Sequence, residues 1–191
     1  MAQKDKIKWD KKYKENQKLQ LPRDPSKKLV SIVGKIKGKN ALDIACGTGR
    51  NSLYLAKNNF KVEALDISQV AIDILTKENH PNIKTTTIDL EGFTPSKNCY
   101  DIIIMTNYLD RDIIHHLSQA LKKEGFLIIE TYMDHENNTK PDSNPDFLLK
   151  KDELKSFFDD KFKIVEYDEF DNEPYELYKM KKQSIIVQRV Y

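Results

Sequence analysis

The fold is decided by one stretch of the sequence, Leu42-Asp43-Ile44-Ala45-Cys46-Gly47-Thr48-Gly49-Arg50-Asn51. Residues 41–46 are apolar apart from Asp43 and lie between Gly38 and Gly47, a pattern that is typical of a buried strand. The leucines at positions 53 and 55 then indicate a helix with an inward apolar face. Glycines two positions apart let the backbone approach a ligand closely, and the first N–H groups of a helix attract negative charge. The stretch therefore predicts a strand, a ligand-binding glycine loop and a helix.

Three ligands suit such a loop: the pyrophosphate of a dinucleotide, a nucleoside triphosphate, and the amino-acid tail of S-adenosylmethionine. A dinucleotide fingerprint has a third glycine at position 52, where Ser52 stands, and the Gly-Lys-Ser/Thr of a phosphate-binding loop is missing. A carboxylate at Asp43 would repel a phosphate, whereas it stabilises an ammonium group directly or through water. The residues therefore favour the methionine tail.

The elements around this stretch predict an α/β fold. The first predicted element is a helix over residues 25–37, capped by Asp24. Five strands follow and alternate with helices: 41–46, 60–66, 82–89, 100–105 and 125–132. This alternation predicts a parallel sheet with helices on both faces. After a polar loop over 133–146 and a helix over 148–158, strands 161–170 and 183–191 are joined by a short link, so we expect them to pair antiparallel. We predict a Rossmann-like, doubly wound sheet of seven strands, mostly parallel with an antiparallel C-terminal hairpin.

Two further carboxylates follow strands of this predicted sheet. Asp66 closes the second strand, where it can accept hydrogen bonds from both hydroxyls of a ribose. Asp89 closes the third strand and can accept from an adenine amino group, while the backbone of Leu90 reaches the ring. Because the carboxyl ends of parallel strands line one crevice, Asp43, Asp66 and Asp89 are expected to lie together. An aspartate after a strand also serves as a turn former or helix cap, and for Asp89 that alternative stays open.

The motifs resemble those of a known family. LDIACGTGRNSLYLA, VEALDIS and TTTIDLE are similar to motifs I to III of class I S-adenosylmethionine-dependent methyltransferases, over nearly the whole chain. More narrowly, WDKKY, LPRDPS and the Glu-Thr-Tyr that ends the fifth strand resemble the tellurite-resistance (TehB-like) methyltransferases. A glycine often stands in the family where this chain has an alanine at position 45. The resemblance implies S-adenosyl-L-methionine as cofactor, with contacts at Asp43, Ala45, Gly47, Gly49, Asn51, Asp66, Ile67, Asp89, Leu90 and Thr106.

The substrate side offers fewer candidates. Tyr108 follows the fourth strand and Tyr132 ends the fifth. Arg23 lies in a stiff loop between two prolines. It can contact an anionic substrate or the cofactor carboxylate, or it can be an ordinary surface arginine. Trp9 and Tyr13 are four residues apart and share one face of a helix, which either closes over the site as a lid or docks on the body. We therefore divide the chain into an N-terminal helical lid or arm (1–24) and a methyltransferase domain (25–191).

The acceptor is expected to be a small molecule. Enzymes that methylate exocyclic base amines show Asn/Asp-Pro-Pro-aromatic after the fourth strand, whereas residues 106–109 here are Thr-Asn-Tyr-Leu. The 32 basic and 30 acidic residues leave a net charge of +2, which gives no general attraction to nucleic acid. No acid–base dyad stands in an assignable position, which favours a soft nucleophile, and the resemblance to tellurite-resistance methyltransferases implies a chalcogen or small thiol acceptor. The alternatives are a protein methyltransferase, a non-catalytic S-adenosylmethionine-binding module and an NAD-dependent oxidoreductase.

Location and metal content follow from composition. The polar N-terminus carries no apolar signal-peptide core, and no apolar run reaches the roughly 20 residues of a membrane span. Cys46 and Cys99 form neither a disulfide framework nor a zinc set, and the adjacent His115 and His116 point to different sides of a helix. We expect a cytoplasmic monomer or homodimer without a metal.

Overall fold

The computed structural model describes residues 2–141, 143–173 and 176–191. Met1 of the predicted lid and one residue of the predicted polar loop, Asp142, lie outside the described residues. The helices are α1 (Ala2–Glu15), α2 (Gln17–Gln20), α3 (Lys27–Ile32), α4 (Arg50–Lys57), α5 (Gln69–Lys77) and α6 (Arg111–Ala120). The strands are β1 (Asn40–Ile44), β2 (Lys61–Asp66), β3 (Ile83–Thr87), β4 (Tyr100–Thr106), β5 (Leu121–Tyr132), β6 (Phe162–Asp171) and β7 (Lys181–Arg189).

The strands form one seven-stranded sheet in the order β3-β2-β1-β4-β5-β7-β6. The first five strands of the chain pair in parallel, and β7 pairs antiparallel with both β5 and β6. This topology confirms the predicted doubly wound sheet with an antiparallel C-terminal hairpin. The strand order reverses between β1 and β4, so the carboxyl ends of these two strands flank the crevice in which such sheets bind ligands.

The centre of the sheet is buried on both faces, which explains the apolar run 102–105 in β4. Ile102 and Ile104 belong to the core shared with α3, α4 and α5, whereas Ile103 and Met105 belong to the core on the side of α6. Successive side chains of a strand point to opposite faces, so a strand covered on both faces has no polar position. In the part of the chain that the structure describes, no helix is long and apolar enough to cross a membrane.

The helix predicted for residues 25–37 is shorter than expected. Its N-cap is Ser26 rather than Asp24, the α-helix ends at Ile32, and a 3-10 turn covers Val33–Lys35. Ser26 is held with ψ 131° because its N–H donates to Asn51 and its hydroxyl donates to Glu130, so the helix begins only after it. Leu29 and Ile32 of this helix are buried, whereas Val30 is 47% exposed.

The helix predicted for residues 148–158 is wrong. Only a 3-10 turn forms there, over Glu153–Phe157. Leu149 instead forms a bridge with Met133 and donates its N–H to the carbonyl of Tyr132. The Arg111 guanidinium also donates a hydrogen bond to the carbonyl of Leu148 and forms an ion pair with the Glu153 carboxylate. These tertiary contacts hold the first half of the segment extended and override its helical periodicity.

Candidate functional site

The glycine loop turns β1 into α4 through three residues with positive φ: Ala45 (53°), Gly47 (57°) and Gly49 (84°). Glycine adopts this region without steric strain, which explains why a glycine often stands at position 45 in the family and shows that Ala45 holds a strained conformation. A methyl group added at Gly47 would meet the hydroxyl of Tyr13 at 2.5 Å. The Tyr13 hydroxyl therefore fills the space in front of Gly47, and the predicted contact of this loop with a ligand stays a prediction.

Asp43 is buried beside this loop near the end of β1. Its Oδ2 accepts a hydrogen bond of 2.6 Å from the Ser52 hydroxyl, and its Oδ1 has no hydrogen-bond partner among the described residues. Burial raises the pKa of Asp43 to about 7, helped by the charge of Asp66 and opposed by Ser52 and Arg50. A cationic group near Oδ1 would stabilise the carboxylate, which is what the predicted ammonium contact requires.

Asp66 ends β2, and its carboxylate accepts hydrogen bonds from the protein backbone. Its Oδ2 accepts from the N–H of Gly47 and its Oδ1 from the N–H of Ser68, both at 2.8 Å. Burial raises the pKa of Asp66, and these backbone N–H groups oppose the change. Since a carboxylate offers about four lone-pair positions, hydroxyl donors can still bind to it. Asp66 thus fixes the glycine loop whether or not it also binds a ribose, a role that the sequence did not reveal.

Asp89 and Leu90 lie beyond the end of β3, because the strand stops at Thr87, two residues before Asp89. Asp89 is exposed, and its Oδ1 accepts from the N–H of Glu91, the turn-forming arrangement that the sequence left open. Leu90 is buried in the core on the α6 side. The adenine contacts of these two residues stay predictions, and so does that of the half-buried Ile67.

Asn51 and Thr106 are joined at the start of α4 and the end of β4. The Asn51 amide donates to the Thr106 hydroxyl at 3.2 Å, and its oxygen accepts from the N–H of Ser26 at 2.9 Å. Both are buried. The Asn51 side chain therefore ties together three segments that border the site.

The sequence analysis missed a buried charge cluster at the same edge of the sheet, made by Glu130 of β5, Lys182 of β7 and Arg50. Glu130 is 4% exposed and accepts from the Ser26 hydroxyl at 2.8 Å. Its Oε1 lies 3.9 Å from Arg50 Nη2 and 3.8 Å from Lys182 Nζ. A glutamate after the apolar run 126–129 and a lysine before the run 185–187 were the only sequence signals.

Unpaired buried polar atoms gather around this edge. Within the described ranges, the buried side-chain atoms without a hydrogen-bond partner are Arg23 Nε, Asp43 Oδ1, Arg50 Nη2, Asn107 Oδ1 and Ser184 Oγ. Leaving such a group unpaired costs roughly 1–3 kcal/mol, so native proteins keep few of them. Asp43 and Arg50 interact electrostatically with each other, and Arg23 and Arg50 both act on the nearby Tyr13. Unused donors and an unused acceptor thus lie around one loop, which suits a ligand group with a carboxylate and an ammonium.

The N-terminal segment covers the glycine loop. Tyr13 is 8% exposed, with its ring centroid 6.0 Å from that of Trp9, so the shared helix face is as predicted. Burial and the charge of Asp66 raise the pKa of Tyr13 above its usual range. Thr48 in the loop donates from its hydroxyl to the carbonyl of Leu19 at 3.1 Å. Residues of the predicted lid therefore touch the loop at two points.

The two substrate-side tyrosines lie at the ends of β4 and β5. The Tyr108 hydroxyl donates to Asp110 at 3.5 Å, and burial together with this carboxylate raises the pKa of Tyr108. The Tyr132 hydroxyl donates to Glu176 at 2.6 Å, and Lys182 Nζ lies 5.0 Å from its ring centroid. Each phenol is thus a donor to a carboxylate.

Comparison with known proteins identifies relatives. A family model described as tellurite resistance protein TehB matches residues 4–186. The probable S-adenosyl-L-methionine-dependent methyltransferase TehB of Haemophilus influenzae is 31% identical over 138 residues, which are 67% of this chain and 47% of that protein. A ubiquinone biosynthesis O-methyltransferase of Coxiella burnetii is 30% identical over 104 residues, 50% of this chain and 44% of that protein. The chain spans about half the length of these curated relatives.

Solved structures share the fold. The crystal structure of TehB from Haemophilus influenzae superposes with a TM-score of 0.74 at 26% identity, covering 85% of this chain and 61% of that one. A SAM-dependent methyltransferase from Methanosarcina mazei, 18% identical, superposes with a TM-score of 0.66 over 89% of this chain and 99% of that one, and shows the fold alone. Because the family model matches nearly all of the sequence, as its motifs indicated, this chain belongs to the TehB family.

Proposed function

We propose that this chain binds S-adenosyl-L-methionine at the carboxyl edge of its sheet and transfers the methyl group to a small molecule. The observation that carries the proposal is the strained glycine loop beside the half-used carboxylate of Asp43. The Haemophilus influenzae relative, named a probable S-adenosyl-L-methionine-dependent methyltransferase, supports it.

The methionine tail is assigned to the loop. Asp43 Oδ1 accepts from the ammonium, while Arg50 Nη2 and Arg23 Nε are the buried donors nearby that suit the carboxylate. Backbone groups of Ala45, Gly47 and Gly49 line the chain of the ligand. This arrangement gives a hydrogen-bond partner to each of these three buried atoms, which a phosphate beside Asp43 would not do.

The nucleoside is assigned to the neighbouring strand ends. The ribose hydroxyls donate to the remaining lone pairs of Asp66, and Ile67, Asp89 and Leu90 border the adenine. Asn51 and Thr106 support this crevice through their shared hydrogen bond. Because Asp66 is already held by two backbone N–H groups, it is oriented before the ribose arrives.

The acceptor is proposed to be a soft nucleophile, a chalcogen or a small thiol. The sulfonium supplies its own leaving group, so the protein needs mainly to align the acceptor with the methyl group. Tyr108 and Tyr132 donate to carboxylates, and Glu130 lies between two cations, so none of these groups is arranged as a strong base. An acceptor that is already anionic or highly polarisable does not need one. Tyr13 and Arg23 remain substrate-side candidates.

Titration calorimetry followed by an acceptor screen tests this function. Binding of S-adenosylmethionine and its demethylated product, with no response to NADH, is expected; the reverse result would replace the proposal with the oxidoreductase alternative. Small thiols, selenite, and tellurite with thiol are then assayed for formation of the demethylated product. Cofactor binding without turnover of any acceptor would favour a non-catalytic module, and methylation of proteins alone would favour a protein methyltransferase.

The proposal also covers the location, the oligomeric state and the domain division of the protein. We infer a cytoplasmic location and a monomeric or homodimeric state, and we assign residues 1–24 as a helical lid or arm on the methyltransferase domain formed by 25–191. Gel filtration with light scattering measures the oligomeric state.

A further inference from the structure

One contact of α1 differs from the rest of its surface. Lysines at positions 4, 6, 8, 11 and 14 are exposed, whereas Asp10 is half-buried against the start of α5. Asp10 Oδ1 accepts from the Ser68 hydroxyl at 2.7 Å and from the N–H of Val70 at 3.2 Å. Because Asp10 lies at the N-terminus of α5, the dipole of that helix also attracts its carboxylate. Asp10 thus anchors α1 by direct hydrogen bonds to the body.

A chain of hydrogen bonds connects this anchor to the glycine loop. The Ser68 hydroxyl also caps α5 by accepting from Ala71, and the Ser68 N–H donates to Asp66 Oδ1 at 2.8 Å. The other oxygen of Asp66 accepts from Gly47 at 2.8 Å. Three consecutive hydrogen bonds therefore run from Asp10 to the loop assigned to the cofactor.

The anchor also sets the position of Tyr13, which follows Asp10 by three residues on α1. Three residues are nearly one helical turn, so both side chains face the body. The Tyr13 hydroxyl lies over Gly47 so closely that no Cβ fits between them. A ligand group on this side of Gly47 would compete for the space that the Tyr13 hydroxyl fills.

We propose that Asp10 is a positioning residue that latches α1 over the cofactor loop, and that opening of this latch sets the rate at which cofactor and demethylated product exchange. The inference rests on the proposed function for its ligand, but the latch itself is a property of the unliganded chain. Asp10 acts through α1 and touches neither substrate nor cofactor.

Three full-length variants test the latch. Asp10→Ala removes the acceptor, Asp10→Asn keeps an uncharged acceptor, and Glu15→Gln is the matched control, because Glu15 lies on the exposed face of the same helix. We measure hydrogen exchange of residues 3–15 in the unliganded proteins, and dissociation of S-adenosylhomocysteine by stopped-flow competition. Circular dichroism and thermal melts verify folding. If Asp10→Ala does not fold, the same measurements on Asp10→Asn decide the question.

Asp10→Ala is expected to speed both the exchange of α1 and the dissociation of S-adenosylhomocysteine by about tenfold, the factor that corresponds to losing roughly 1.4 kcal/mol of hydrogen bonding. Asp10→Asn is expected to fall between Asp10→Ala and the parent, and Glu15→Gln to match the parent. Unchanged α1 exchange or unchanged dissociation in Asp10→Ala overturns the proposal. If the parent binds no S-adenosylhomocysteine, the proposed function fails, and hydrogen exchange alone then decides whether the latch exists.

Discussion

The Ser52 hydroxyl donates a hydrogen bond of 2.6 Å to Asp43 Oδ2. In a dinucleotide-binding loop a glycine would occupy position 52 so that helix and strand pack closely. Here the side chain at position 52 binds one oxygen of the Asp43 carboxylate, whose other oxygen is buried without a hydrogen-bond partner among the described residues. The residue that argued against a dinucleotide in the sequence is thus also one that arranges the site for a cation.

Cofactor affinity is expected to rise with pH through the titration of Asp43. Burial raises the pKa of Asp43 to about 7, so below pH 7 the unliganded carboxyl is mostly protonated, and an ammonium ligand must displace that proton. Calorimetry with S-adenosylhomocysteine at pH 6 and pH 8 should show weaker binding at pH 6. The measured binding enthalpy at pH 6 should also vary with the ionisation heat of the buffer, which reports the release of that proton.

The Asp43→Asn variant provides the comparison for this affinity. It should bind about ten- to a hundredfold more weakly at pH 8, because an ammonium loses a charged acceptor worth roughly 1.5–3 kcal/mol. Its residual affinity should lack the proton release. An unchanged affinity in Asp43→Asn would mean that the ammonium lies elsewhere.

The same substitution should stabilise the unliganded protein at alkaline pH. The folded pKa of Asp43, about 7, lies above its ordinary value of 3.8, so the native state holds a proton that the unfolded chain releases between these values. This contribution to stability is present at low pH and is lost as pH rises through 7. Asparagine keeps an acceptor for Ser52 without the buried charge. Thermal melts should therefore show Asp43→Asn above the parent at pH 8, with a smaller difference at pH 5.

Asp66→Ala is expected to weaken cofactor binding by about 1.5–3 kcal/mol, roughly ten- to a hundredfold, since two ribose hydroxyls lose a charged acceptor. It should also loosen the glycine loop, because the N–H groups of Gly47 and Ser68 lose their partner. Asp89→Ala is the comparison variant and should weaken cofactor binding less than Asp66→Ala, because an exposed adenine amino group can donate its hydrogen bond to water instead. Equal affinities of the folded Asp66→Ala variant and the parent would refute the ribose assignment.

Segments whose burial is set by their own strand pattern were predictable from the sequence. The run 100–105 is predicted as a strand from its apolar sequence, and in the structure its apolar residues alternate between two covered faces. The glycine loop was found because the positive φ at Gly47 and Gly49 requires that residue type. In both places the local sequence and the tertiary environment demand the same conformation.

The misread segments depend on partners that are distant in the sequence. Residues 148–158 have helical periodicity, but hydrogen bonds from Leu149 to β5 and from Arg111 to the Leu148 carbonyl keep the first part extended. The Glu130–Lys182 contact depends on the β5–β7 register, in which Tyr132 lies opposite Lys182. No sequence pattern fixes that register before the sheet forms.

Glu130→Gln is expected to destabilise the fold by about 3 kcal/mol, because Arg50 and Lys182 both lose a buried counter-charge, although Lys182 Nζ still lies 3.6 Å from the Glu176 carboxylate. Combining it with Lys182→Met should recover part of that loss, since one of the two cations is removed along with its counter-charge. Urea denaturation of the parent, both single variants and the double variant measures the coupling. Strict additivity would show that the 3.8 Å contact contributes no net stability.

Turnover should survive the loss of either tyrosine hydroxyl at the substrate side. Burial and Asp110 raise the pKa of Tyr108, so a tyrosinate base is not available at neutral pH, and the Tyr132 hydroxyl donates to Glu176. Removing a true general base costs about 10²–10⁴ in rate, whereas Tyr108→Phe and Tyr132→Phe should each stay within tenfold of the parent for a small thiol. The pH dependence of kcat/KM should follow the ionisation of that thiol in all three proteins. A loss of a hundredfold or more in one variant, together with an altered pH profile, would instead identify that phenol as a catalytic base and make an alcohol the better candidate acceptor.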